Sequence, residues 1–344
     1  MAVGEGARFP LAELEVRVAE ALRQAGASEA SLQAATRAML HASRVGVDSH
    51  GIRLVEHYCA MLAGGRLNKN PELRVDIRAP GSAMVDGDDG LGHYAAYKAV
   101  EVGCELARVS GVAGVGIAHS SHLGAAGAYA LAGAEAGFVA FATTNTDSMV
   151  ALHDGAARFH GTNPLAFAAP VPGQKPWFLD MATSSIPMNR VLLHRSMGVD
   201  LPEGVAANAA GQMVTDPQAV EMLLPLGGQG YGYKGAGLAG VATLFSALLT
   251  GTTLDTDFIP MFGGGDISTP RNMGHFVMIV DPDKFVGRDM FGMMITRYLE
   301  SLRGAPARAG GTVMAPGDRE WAEAERREAE GAPVDPDTIR FLGL

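Results

Sequence analysis

One run of eleven residues, Ser43-Arg44-Val45-Gly46-Val47-Asp48-Ser49-His50-Gly51-Ile52-Arg53, gathers an imidazole, two guanidinium groups, a carboxylate and hydroxyls. Gly46 and Gly51 let backbone approach closely there. Apolar Ile52, Val55, Cys59 and Leu62 then recur at helical spacing, which makes Asp48 or Ser49 an N-cap and puts His50 in a first turn. Three residues apart at a helix start, His50 and Arg53 point the same way. They would offer a proton acceptor and a carboxylate clamp to one small acid. The plainer alternative is a capped helix start with both side chains in solvent.

Further polar clusters close predicted strands. His119-Ser120-Ser121-His122-Leu123-Gly124 follows a buried strand, where loops of α/β sheets collect ligands. As a metal pair the two histidines lack a nearby cysteine or carboxylate, so no metal is expected, and a neutral imidazole that accepts a proton is the better use. Thr143-Thr144-Asn145-Thr146-Asp147 closes the next strand, which suggests a shared crevice. Gly161-Thr162-Asn163-Pro164, Asp180-Met181-Ala182-Thr183-Ser184 and Gly230-Tyr231-Gly232-Tyr233-Lys234-Gly235 come later. Amides at a glycine-rich bend with a lysine at a helix start suit phosphate oxygens, although each cluster alone also reads as an ordinary turn. Gly90-Leu91-Gly92-His93-Tyr94-Ala95 imitates a dinucleotide-binding turn, but the next strand runs into His119 rather than an acid, which argues against an ordinary Rossmann domain. Neither GxxxxGK[ST] nor GxSxG occurs.

Periodicity supplies the scaffold for these clusters. Helices are expected over Leu11–Ala25, Glu29–Ala42 and His50–Leu62, the last stopped by Gly64-Gly65, as an N-terminal helical lobe. Strands Leu73–Ile77 and Ser82–Asp86, helix Tyr94–Val109, strand Val112–Ala118, helix Ala125–Ala136 and strand Phe138–Thr143 follow. Strands Leu165–Ala169 and Trp177–Met181, a short helix Pro217–Leu223, an uncharged helix after Lys234 and a strand Phe276–Val280 complete an α/β domain. Helices Phe285–Leu302 and Asp318–Glu330 precede a last segment, Asp337–Leu342, that packs back on the body. The divisions are 1–72, 73–282 and 283–344.

Bulk properties narrow the function. With 47% hydrophobic and 19% charged residues the chain is globular. A net charge of -10 without a basic stripe argues against nucleic-acid and anionic-membrane partners. Cys59 and Cys104 form no CxxC pair, which fits a reducing cytoplasm, and no basic region followed by an apolar run suggests a signal peptide. Gly235 to Leu254 carries no charge and approaches the ~20 residues of a membrane span. Its Gly, Ala, Ser and Thr content favours a helix buried in a core.

In order along the chain, DSHGIR, GLGHYAA, HSSHLGAAGAYA, GTNPLAFAAP, LDMATS, YKGAGLAGVATLFSALLTG, GHFVMIVDPDKF and APGDRE resemble the malate/L-lactate dehydrogenase family that is distinct from Rossmann-type lactate dehydrogenases. The resemblance spans about residue 10 to 340. It implies a non-Rossmann α/β fold, a mixed-sheet cofactor domain with a helical lobe built from both chain ends, and a homodimer. It also implies NAD- or NADP-dependent interconversion of a 2-hydroxy acid and a 2-oxo acid, or of an imine analogue. Carried onto this sequence, the acid/base histidines are His50 and His122, with His50 preferred. Ser49, Arg53 and Thr162 would hold substrate, Arg53 by its carboxylate. Thr146, Asp147, the run Phe178, Leu179, Asp180, Met181, Ala182 and Thr183, then Tyr233, Lys234 and Gly317 would grip the cofactor. Ser184 to Arg190 stands where many relatives carry a Gly-Lys pair, which leaves NAD and NADP both open.

Overall fold

The computed structural model describes residues 7–261 and 263–344. Its helices are α1 (Leu11–Gln24), α2 (Glu29–Arg44), α3 (Val55–Gly64), α4 (Gly92–Ser110), α5 (Gly127–Glu135), α6 (Met188–Met197), α7 (Gly228–Thr243), α8 (Arg288–Arg303), α9 (Asp318–Glu330) and α10 (Pro336–Leu342). The strands are β1 (Arg8–Phe9), β2 (Arg74–Ala79), β3 (Ser82–Asp86), β4 (Val112–Ser120), β5 (Val139–Thr144), β6 (Val150–Ala151) and β7 (Arg158–His160). Then come β8 (Leu165–Ala169), β9 (Trp177–Met181), β10 (Ala206–Ala207), β11 (Met222–Leu223), β12 (Met273–Val280) and β13 (Ala332–Pro333).

Seven strands form the main sheet in the order β2-β3-β4-β12-β5-β8-β9. Only β3 and β4 pair in parallel; every other neighbour is antiparallel. The sheet is therefore mixed, unlike the parallel Rossmann sheet. Its centre, β12, comes from late in the chain and inserts between β4 and β5. Side-chain size fixes the fit: a Cβ on Gly114 of β4 would lie 2.9 Å from the Phe276 ring of β12. Helices α4 and α5 cover one face, where Ala95, Ala99, Tyr129 and Ala130 join Val115, Ile117 and Val277 in the largest core cluster.

A second core gathers the front helices around Leu14, Val18 and Leu22, spaced four apart on α1. Ala332, Val334 and Leu342 from the far end of the chain join it, so both ends contribute to the helical lobe. Helix α8 lies elsewhere, with Leu299 packed on Val171 and Ala315.

Several expectations need correction. The helix expected over His50–Leu62 is two 3₁₀ turns, Asp48–His50 and Ile52–Leu54, before α3. Neither Asp48 nor Ser49 caps it by side chain. Pro217–Leu223 is a proline-led 3₁₀ turn followed by β11, because Asp216 caps the turn and the chain then extends. The uncharged helix starts at Gly228, so Tyr233 and Lys234 sit inside α7 rather than before it. Helix α6 and the two-residue strands lacked a readable period. Among the described residues no helix is long and apolar enough to cross a membrane.

Candidate active site

The segment carrying His50 is held from both sides. Ser43, in the last turn of α2, accepts the Ile52 N–H on its hydroxyl at 3.0 Å. Any side chain on Gly51 would collide there, since a Cβ would lie 2.2 Å from that hydroxyl oxygen. From the opposite end of the chain, buried Arg327 of α9 grips the Asp48 carboxylate with both terminal nitrogens and donates to the Ser43 carbonyl at 2.6 Å. Asp48 is thus an anchor for the loop.

Thus held, His50 keeps its Nδ1 2.8 Å from the Ser49 hydroxyl and stacks on His122, ring centroids 5.6 Å apart and planes 25° from parallel. His50 retains some surface exposure, yet protein surrounds it, and burial lowers its pKa to about 4. His122 follows the end of β4. Burial first, then the neighbouring His50 and His93, hold it well below the ordinary imidazole range. Both rings are therefore neutral near pH 7. Tyr58 of α3 backs the pair, its hydroxyl 2.7 Å from His122 Nδ1.

Gly51 adopts φ -89° and ψ -152° between the 3₁₀ turns, so the helical phase relating His50 to Arg53 is lost. The Arg53 side chain is exposed, and its charge acts on Asp335 at the start of α10. The buried guanidinium whose charge reaches His122 is Arg271, on the segment leading into β12. Arg271 pairs with Asp147, which also accepts the Met261 N–H at 2.6 Å. Asp147 is thus engaged within the protein.

The HxxH spacing makes no pair. His119 is exposed with φ +46° and lies 3.2 Å from Asp86, while His122 turns inward. Among the described residues no cluster of His, Cys, Asp and Glu could hold a metal. The glycines of GLGHYAA serve packing: the Gly92 N–H donates to the Ser121 hydroxyl at 2.9 Å, and a Cβ on Gly92 would strike the Ser121 carbonyl at 2.0 Å.

Three threonines from separate clusters meet. The Thr162 N–H donates to the Thr146 hydroxyl at 3.2 Å, and Thr183 donates to the Thr162 carbonyl through its N–H at 2.9 Å and its hydroxyl at 3.1 Å. The Leu226 N–H donates to the Thr183 carbonyl at 2.8 Å, which fastens the approach to α7 beside Met181 and Ala182. Tyr233 and Lys234 are exposed on α7, with Lys234 Nζ 5.1 Å from the Tyr231 ring centre.

At the sheet edge a cleft of about 260 Å³ is lined by Phe178, Leu179, Asp180, Pro316, Gly317 and Glu320, so Gly317 and the start of the Phe178 run meet. Gly317 has φ +97°, and a Cβ there would press on Phe178 at 3.2 Å. The Gly127 N–H donates to Asp180 Oδ2 at 2.9 Å. Burial raises the Asp180 pKa to about 6 in spite of that bond, with Glu320 adding to the rise. Asp180 and the Gly317 turn are the groups in this cleft that could hold a polar ligand.

Besides Arg327, Arg271 and Tyr58, two more supporting residues escaped the sequence reading. Asp255 is buried and receives Asn145 Nδ2, Asn163 Nδ2 and the Gly161 N–H at 2.8, 2.7 and 3.1 Å. Burial raises its pKa, but these bonds and His160 outweigh that and lower it. His275 of β12 donates through Nε2 to the Ser121 carbonyl at 3.0 Å and meets the Thr144 hydroxyl at 2.7 Å, joining the ends of β4 and β5. The signal was there in the second case: a histidine inside an otherwise apolar strand.

Known proteins share this fold. The malate/L-lactate dehydrogenase family profile matches residues 9–343. The malate dehydrogenase of Pyrococcus horikoshii is 33% identical over 302 residues, covering 86% of this chain and 82% of that one. Its solved structure superposes with a TM-score of 0.88 and 28% identity, over 99% of this chain and 94% of that one. The ureidoglycolate dehydrogenase (NAD(+)) of Escherichia coli is 31% identical over 93% of this chain and 90% of its own length. A Δ1-pyrroline-2-carboxylate/Δ1-piperideine-2-carboxylate reductase of Pseudomonas putida is 31% identical over 97% and 96%. Matched nearly end to end, the chain belongs to the malate/L-lactate dehydrogenase family.

Proposed function

We propose that this chain is an NAD- or NADP-dependent dehydrogenase that moves a hydride between the cofactor and C2 of a small malate- or lactate-like 2-hydroxy acid, with the 2-oxo acid as product. The observation that carries this reading is the stacked, neutral pair His50 and His122, brought together from separate elements on a family scaffold. The nicotinamide cofactor supplies the hydride acceptor. Its grip falls to Thr146, Asp147, Phe178 to Thr183, Tyr233, Lys234 and Gly317. His50 takes the hydroxyl proton on oxidation and returns it on reduction. Ser49 orients His50 and, with Thr162, faces the substrate. Arg53 holds the substrate carboxylate.

Two copies pair through the exposed apolar face of α7 and the π turn after it, where Tyr231, Leu238, Val241, Leu244 and Leu248 are bare. Two free buried cysteines suit work in the cytoplasm. A second reading, reduction of a cyclic imino acid, is favoured by the near full-length likeness to the Pseudomonas putida reductase.

The test is a panel of 2-oxo acids, including pyruvate and oxaloacetate, and a cyclic imino acid, each assayed with NADH and with NADPH. A 2-oxo acid should turn over fastest, and His50→Asn should lose roughly 10²–10⁴-fold of that rate while still binding cofactor. Turnover of the imine alone overturns the hydroxy-acid reading.

A further inference from the structure

His122 has two ring nitrogens, and the surroundings of one decide what the other can do. The Gly124 N–H points at Nδ1 from 3.4 Å, and the Tyr58 hydroxyl lies 2.7 Å from the same atom. A backbone N–H has no lone pair to offer, so it can only donate. A proton on Nδ1 would set two N–H groups against each other. With Nδ1 bare, Gly124 and Tyr58 both donate to it and the conflict disappears. Tyr58 is itself fixed: it is buried, it packs edge-on against His93 with ring centres 4.8 Å apart, and burial holds its hydroxyl protonated. His93 is fully buried with neither ring nitrogen hydrogen-bonded, and its Nε2 would lie 3.2 Å from a Cβ on Gly124. This imidazole walls in the turn that presents the Gly124 amide.

We infer that Tyr58 is a positioning residue that, with the Gly124 amide, keeps the His122 proton on Nε2, so that His122 serves the reaction as a hydrogen-bond donor while His50 carries the proton. The inference rests on the proposed 2-hydroxy-acid chemistry and divides the labour of the two histidines within it. On reduction, hydride reaches C2 and the carbonyl π pair withdraws to oxygen. The Nε2–H of His122 stabilises the oxyanion that forms. The oxyanion then takes the proton from protonated His50, giving the hydroxy acid and neutral His50, which is reprotonated from solvent. Oxidation runs the same steps backwards. His122 keeps its proton throughout and needs no ionisation, which suits its dry surroundings.

The test is nitrogen NMR on the full-length protein labelled with ¹⁵N-histidine, the His122 signals identified by their loss in His122→Gln. In the wild type near pH 7, Nε2 should be protonated and Nδ1 bare. Tyr58→Phe should move the Nδ1 signal and mix the tautomers. Its kcat should fall on the order of 10–100-fold, with KM and cofactor affinity changed far less. A purely structural role for Tyr58 would lower thermal stability without moving the tautomer. A wild-type proton on Nδ1, or an unaltered tautomer in Tyr58→Phe, overturns the inference while leaving the histidines in the reaction. Full turnover by His122→Gln likewise overturns the inference, whereas failure of the wild type to turn over any 2-oxo acid overturns the reading underneath it. The wild-type spectrum decides the tautomer even where a variant fails to fold.

Discussion

Two imidazoles face to face in an enclosed site are poor bases until a ligand arrives, because each would have to charge against burial and against the other. An anionic substrate offsets both costs for His50, so proton transfer is tied to occupancy. The alignment depends on a single absent side chain. Gly51→Ala forces a methyl group into the Ser43 hydroxyl. We expect it to cost about 1–3 kcal/mol, the usual range for overpacking, and to reduce kcat at least tenfold. Thermal melting and steady-state kinetics check both effects. The residue types of the site were legible: His50, His122 and the threonines stand in the quoted motifs, and the fold brings them together in two groups. The helical phase relating Arg53 to His50 was not, because Gly51 interrupts the helix it assumed. Arg327 was invisible as an anchor, since 279 positions separate it from Asp48.

Helix α9 links the far end of the chain to the loop that carries His50. Removing the Arg327 head group leaves the Asp48 carboxylate and the Ser43 carbonyl without their donors. Because Asp48 is partly exposed, water relieves some of the loss. Arg327→Met should cost about 2 kcal/mol, in line with hydrogen bonds to charged groups. It should lower kcat more than cofactor affinity, by denaturant unfolding and cofactor titration. Unchanged kinetics would show that the loop holds its shape without α9. Long periodic elements, such as α1, α4, β4 and α9, could be read from the sequence to within a few residues. The two-residue strands β6, β10 and β11 could not. Such strands have no alternation of their own and are defined by their partners, Leu223 against Val150 for example.

Six histidines held below their ordinary pKa give the folded protein a dependence on acid. Burial lowers His41, His50 and His57 to about 4 and His93 and His275 to about 3, with His122 also well below normal. In the unfolded chain all return to the ordinary value near 6.5. The unfolded state therefore binds more protons, so stability is complete above about pH 6.5 and falls progressively toward pH 4. Melting temperature measured from pH 8 to pH 4 should be level at first and then drop, with several protons taken up on unfolding near pH 5. A level curve down to pH 4 would mean these rings are solvated. The α/β class was legible from the alternation of periods, but the place of β12 was not, because strand order is a long-range property.

That late arrival has a consequence for synthesis. As the chain leaves the ribosome, β4 and β5 are exposed long before residues 273–280 exist to lie between them, and each presents open backbone edges in the interval. The sheet cannot zip from its centre outward during translation. It closes in one late, non-local event, at which His275 also ties the two strand ends beside the histidine pair. Nascent chains stalled before residue 273 would thus carry every catalytic group proposed here and still have no site.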